Sequence, residues 1–179
     1  MKNGKKSLIG ILMLTLFLVN MTAPASAYVY NGAYWYNGIA PVQKGTSIPS
    51  SWSTALTAAA NTWNNVGTNF YFSWMITNNK LNYAPLLPNT TIASTYPDPS
   101  GDKMIGCAVT FNKNLVWSTS GESGKFDVQN IATHEFGHWL RLGHSSETEA
   151  TMYKNSATGE TKKRTLHTDD IQGIRSIYD

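Results

Sequence analysis

Three histidines and one glutamate within a short stretch carry most of the chemistry this chain can offer. The run is His134-Glu135-Phe136-Gly137-His138-Trp139-Leu140-Arg141-Leu142-Gly143-His144. A spacing of four puts His134 and His138 on one face of a helix, one turn apart. His144 follows after a Gly-containing turn. Three neutral imidazoles suit a zinc ion and leave its fourth tetrahedral position open for water. Such a site lowers the pKa of water from 15.7 to about 7. Glu135, next to the first ligand, can take a proton from that water as it attacks a carbonyl and pass it to a leaving amine. These residue types in this order point to metal-assisted amide hydrolysis without a covalent enzyme intermediate.

The flanking residues read as the elements that position this group. Asp127 is an N-cap, and Val128, Ala132, Phe136, Trp139 and Leu140 form an apolar stripe beside the face bearing the histidines. Upstream, Ser50-Ser51 precedes Trp52, Leu56, Ala59, Trp63 and Val66 at helical spacing, and Gly67 follows as a stop. A helix is expected over 52–66, capped by serine. Phe70 to Ile76 is aromatic and predicts a strand. Residues 77–99 are rich in Asn, Pro and Thr and read as loop, with a short strand at Thr91 to Ser94. Ile105 to Phe111 alternates, which predicts a strand with Ile105, Cys107, Val109 and Phe111 on one face. Ser118 to Gly124 reads as a Ser/Gly loop. A last helix is expected after Thr168, with Asp169 and Asp170 favoured in its first turn by the helix dipole and Ile171, Ile174, Ile177 and Tyr178 on its apolar side. There are no repeats and no sign of a second domain.

Residues 1–27 have the layout of a signal peptide: Lys2, Lys5 and Lys6, an apolar run from Leu8 to Val19, and the small residues Ala25-Ser26-Ala27. Cleavage is expected before Tyr28, leaving 28–179 as one domain. Three of the 14 Lys and Arg lie in the leader, so 11 basic residues face 11 acidic ones in 28–179 and the formal net charge there is zero. That balance argues against a nucleic-acid partner. No later segment has transmembrane length, and no stable membrane association is expected after removal of the leader. Lys162-Lys163-Arg164 reads as a solvated loop. Cys107, the only cysteine, cannot form an internal disulfide and reads as a small buried apolar residue. Tyr28, Tyr30, Tyr34, Trp35 and Tyr36 read as aromatics packing an N-terminal segment onto the core.

The motif and its surroundings resemble the metzincin metallopeptidases, and among them the matrixins. His134 to His144 is similar to their H-E-x-x-H-x-x-G-x-x-H motif, and Ala150-Thr151-Met152-Tyr153 resembles their Met-turn. Asp169-Asp170-Ile171-Gln172-Gly173-Ile174 through Tyr178 is similar to their closing helix, and Ala58 to Asn64 to their first helix. The resemblance implies an α+β fold: a twisted mixed sheet of about five strands with three helices. An active-site cleft would divide a large N-terminal from a small C-terminal subdomain. It further implies His134, His138 and His144 as ligands of one catalytic Zn2+, Glu135 as the catalytic base and Met152 as a structural residue. Substrate would extend along an edge strand, for which Ile105 to Phe111 is the candidate. The freed amine of Tyr28 would pair with Asp169 or Asp170. Calcium is common in the family, and Asp98 and Asp102 are candidate donors without an assignable site.

Several positions depart from the family pattern. Arg141 stands where the motif has the glycine that turns the chain back toward the third ligand, and Gly143 is a candidate to absorb part of that turn. Lys154 stands where proline is usual after the Met-turn. Only His167 remains after the three ligands, so no histidine-rich second zinc site is expected. The expected function is a secreted zinc-dependent endopeptidase, a monomer acting on protein or peptide substrates. One rival is a zinc-containing peptide-binding module with weak or no catalysis, its third ligand spoiled by Arg141. Another is a cell-surface carbohydrate-binding protein using the N-terminal aromatics.

Overall fold

A computed structural model describes residues 27–179, so the expected leader lies outside the described residues except for Ala27. Five strands, β1 (Ile39–Lys44), β2 (Tyr71–Trp74), β3 (Lys80–Ala84), β4 (Ala93–Ser100) and β5 (Lys103–Asn112), form one mixed sheet in the order β2-β1-β3-β5-β4. All neighbours are parallel except β4, which runs antiparallel to β5 and is the free edge beside it. Three helices, α1 (Ser53–Asn64), α2 (Val128–Trp139) and α3 (Thr168–Tyr178), complete the α+β fold that the resemblance implied. Among the described residues no helix is long and apolar enough to cross a membrane.

Helix α1 buries Ala55, Leu56, Ala59, Ala60 and Trp63 against α2 and the sheet. The small alanines let two helices approach closely, and the Trp63 indole donates to the Thr133 carbonyl of α2 at 2.9 Å. Contrary to expectation, neither Ser50 nor Ser51 caps α1. They sit in a 3-10 turn (Ser50–Trp52) that leads into it, and Trp52 N bonds Pro49 O instead. Gly67, at φ +83°, ends the segment as expected.

Two strand assignments change, and two further strands form where none was expected: β1, and β3 within the stretch that read as loop. Strand β5 is interior, between β3 and β4, so Ile105 to Phe111 cannot be the free edge. The edge is β4, within a stretch that read mostly as loop. Its prolines, Pro97 and Pro99, are tolerated because an edge strand has one side without sheet partners. Ile105 is 62% exposed while Met104, Cys107, Val109 and Phe111 are buried. A register shift at Asp98/Pro99 pairs Gly106 with Asp98 but Met104 with Pro99, which reverses the alternation at that end of β5.

Helix α2 is buried along most of its length, with Val128, Ile131, Ala132, Phe136 and Trp139 in the core. Asp127 caps it as expected, accepting from Asn130 N at 2.9 Å. The same carboxylate takes two bonds from the Arg164 guanidinium, at 2.8 and 2.5 Å. The Lys162–Arg164 run is therefore not a solvated loop. Lys163 is fully buried: its N–H donates to Asn130 Oδ1 at 2.8 Å, and its ammonium donates to the Tyr153 carbonyl. Burial lowers the Lys163 pKa to about 8. Asp127→Ala removes the cap and strands Arg164; urea unfolding should show a loss of roughly 2 kcal/mol or more.

Candidate metal centre and active-site cleft

The three histidines of the motif converge. Helix α2 presents His134 and His138 one turn apart, with ring centroids 4.7 Å apart. The chain then leaves the helix, turns at Arg141 and delivers His144, whose Nε2 lies 3.2 Å from that of His138. One ring nitrogen from each residue falls within 4.8 Å of the other two.

The turn is made at Arg141 itself, at φ +68°, and not at Gly143. This left-handed conformation costs a non-glycine residue roughly 1–2 kcal/mol. Compensation comes from the N-terminal segment. Asn31 N donates to Arg141 O at 2.9 Å, and Arg141 Nη2 donates back to Asn31 O at 3.0 Å. The third histidine is thus delivered despite the missing glycine, which removes the premise of a spoiled ligand.

The donor chemistry fits a metal. His134 Nδ1 lies 2.7 Å from Thr151 O, and His138 Nδ1 lies 2.7 Å from Leu142 O. A carbonyl only accepts, so each Nδ1 carries the proton and each Nε2 is left bare for a cation. Burial lowers the pKa of all three histidines, furthest for His134, which keeps the imidazoles neutral. The 3.2 Å separation of two Nε2 atoms is close to the ~3.3 Å edge of a tetrahedron with Zn–N bonds near 2.0–2.1 Å. Cys107 is buried in β5 and belongs to no such cluster; burial raises its pKa and keeps it a thiol.

Glu135 is buried beside this group. Thr95 of β4 donates to its Oε2 at 2.5 Å. Burial pushes the Glu135 carboxyl up to about 7, against the opposing pull of the Thr95 hydroxyl. Sequence reasoning missed Thr95, because its partner lies forty residues away in another element.

Met152 is fully buried beneath the histidine helix. A Cβ added at Gly137 would sit 2.1 Å from Met152 Sδ and 3.0 Å from the Trp63 ring, so the glycine makes room for the sulfur. Asp170 holds the Met-turn from α3: its carboxylate accepts from Thr151 N at 2.8 Å, Met152 N at 2.9 Å and His167 N at 2.8 Å. Asp169 accepts the amides of Ala27 and Tyr28 at 2.8 and 2.9 Å and the Ser145 hydroxyl at 2.7 Å. These are peptide N–H groups of the uncleaved chain, and it is Asp169, not Asp170, that faces residue 28. His167, the fourth histidine, caps α3 by accepting from Asp169 N.

The imidazoles and Glu135 open into a cleft of ≈ 560 Å³. Ala93, Thr95 and Pro97 of β4 line it, as do Arg141 and the segment Lys154–Ser156. A helix carrying two histidines and a carboxylate, a returning third histidine and a methionine packed underneath define a metzincin-type site.

The matrixin family model matches residues 52–179. The chain belongs to the matrixin family. It is 38% identical to human neutrophil collagenase over 91 residues, 51% of this chain and 18% of that protein. It is 43% identical to metalloendoproteinase 1 of Glycine max over 74 residues, 38% of this chain and 24% of that protein. Against human matrilysin the identity is 35% over 91 residues, 51% of this chain and 33% of that protein. The chain thus aligns with a third or less of the length of these relatives.

Gly137→Ala should drive Met152 out of its place and cost about 1–3 kcal/mol by thermal or urea unfolding. Zinc affinity, read by competition with a chromogenic chelator, should fall with it.

Proposed function

We propose that this protein is a secreted zinc-dependent endopeptidase, with His134, His138 and His144 as the metal ligands and Glu135 as the general base. The observation that carries the reading is the convergence of three imidazoles, two of them with Nδ1 committed to backbone carbonyls. Bound zinc would supply Lewis acidity, making water acidic enough to ionise near neutral pH and polarising the scissile carbonyl.

The protein groups do the rest. Glu135 takes the proton from the attacking water and delivers it to the departing amine. Its buried position raises its proton affinity, which suits a base that must later act as an acid. Thr95 fixes the carboxylate on the cleft side of α2. The free edge of β4 offers N–H and C=O groups to an extended peptide, which would pair along it as a further strand. Met152 is structural. Residues 1–27 would direct export and 28–179 would form the catalytic domain, acting as a monomer. The cleft beside the histidine cluster and the matrixin relatives support this reading over a carbohydrate-binding surface; of the N-terminal aromatics Trp35 packs into the core as expected, whereas Tyr30 and Tyr36 are exposed.

Casein cleavage and bound zinc, measured together, test the proposal. Chelation should abolish cleavage and added zinc should restore it. Glu135→Gln should keep the metal and lower kcat by about 10²–10⁴-fold; undiminished turnover in that variant would overturn the assignment of the base. Thr95→Val should lower kcat about tenfold with little change in KM, and Thr95→Ser should retain most of the activity.

A further inference from the structure

From the charge distribution in the cleft, we infer that this enzyme selects peptides with carboxylate side chains flanking the bond it cuts, and that Arg141 and Lys154 read them. The inference rests on the peptidase reading and adds a substrate class to it.

Arg141 is fixed in place. Its backbone is pinned in the left-handed region by the Asn31 pair, and its Nη2 is tied to Asn31 O. That bond uses a single donor of a guanidinium that has five. Its Nε is buried and has no partner. A non-glycine residue at φ +68° lining the cleft is the outlier from which a role for its side chain is inferred.

Lys154, exposed two residues after Met152, lines the same cleft. Among the described residues, no carboxylate lies within ion-pair distance of either cation. The only acidic side chain lining the cleft is Glu135, which is committed to the reaction. This is a local asymmetry, since residues 28–179 carry a formal net charge of zero. Arg141 and Lys154 come from two different segments, and both line the cleft that holds the imidazoles. Ala93, Thr95 and Pro97 of β4 line the same cleft as both cations, so an extended substrate along β4 would pass them. A planar guanidinium with free donors matches a carboxylate, and so does a compact ammonium. A partly enclosed cleft strengthens both attractions relative to open water.

The test uses two peptides of identical length and core, one with Glu on both sides of the scissile bond and one with Gln. Two readouts are taken: kcat/KM with the zinc-loaded enzyme, and Kd by fluorescence anisotropy with the Glu135→Gln protein. The Glu peptide should be preferred by roughly tenfold in both at low salt, and by less at 1 M salt, where charges are screened beyond about 3 Å. Arg141→Gln combined with Lys154→Gln should bring both ratios close to one, while Arg141→Lys should keep part of the preference. Lys154→Gln alone changes an exposed residue and should lower the ratio even if position 141 tolerates no change. Cleavage with equal ratios, or a preference that survives the double variant, would overturn the inference and leave the peptidase reading standing. A binding preference without cleavage would sink the peptidase reading and leave the charge selection intact.

Discussion

Two hydrogen bonds from imidazole Nδ1 atoms to backbone carbonyls set the terms for everything around them. A histidine offers a cation a lone pair only if its other nitrogen holds the proton, and a carbonyl partner enforces that state. The Thr151 carbonyl does this for His134, and the Leu142 carbonyl for His138. Each carbonyl must itself be held. Thr151 sits in the Met-turn, whose amides are tied to Asp170. Leu142 sits in the return segment, bridged to Tyr30 and followed by Gly143, whose N–H bonds Val29 O at 2.7 Å. The histidine cluster is therefore assembled from α2, the start of α3 and the N-terminal segment together. A helix bearing the motif could not fix these tautomers alone.

The buried carboxylates show how such an arrangement is made affordable. Burial raises the Asp170 pKa, and three backbone amides oppose that shift by donating to the charged form. A buried carboxylate with several N–H donors is tolerable where an isolated one is not. Asp169, also buried, carries an analogous load in the same turn, joining residues 27 and 28 to Ser145, next to His144. Adjacent aspartates thus serve two different loops. One supports the turn under His134, and the other supports the residue after His144.

The motif, the Asp127 cap and the first and last helices were legible because their signals are local: spacing along a helix, a cap three residues from its amide, a glycine after a stop. What sequence reading missed was decided by partners far along the chain. Strand β1 presents only Ala40 and Val42 to the core around a proline, too little apolar alternation to stand out. Strand β4 looks like a loop because it holds two prolines, and only its pairing with β5 makes it a strand. Lys163 sits in a run of cations, which normally means solvent, yet the Tyr153 carbonyl and Asn130 side chain capture it. Asp169 and Asp170 were legible as first-turn residues and as candidates to meet residue 28, but their bonds to Ser145 and to the Met-turn amides were not.

Arg141 shows how a departure from a family pattern can be resolved without loss of geometry. Glycine at this point would adopt φ +68° at no steric cost. Arginine pays that cost, and the pairing of Asn31 with residue 141 returns part of it through one backbone and one side-chain bond. The exchange has a structural consequence, because a turn that glycine could make unaided now depends on residues 29–31 lying alongside it. Order at His144 becomes coupled to docking of the N-terminal segment, which Asp169 also grips at residues 27 and 28. The same substitution places a cation at the mouth of the cleft. A single side chain therefore links the brace behind the third histidine to the charge that a substrate would meet in front of it.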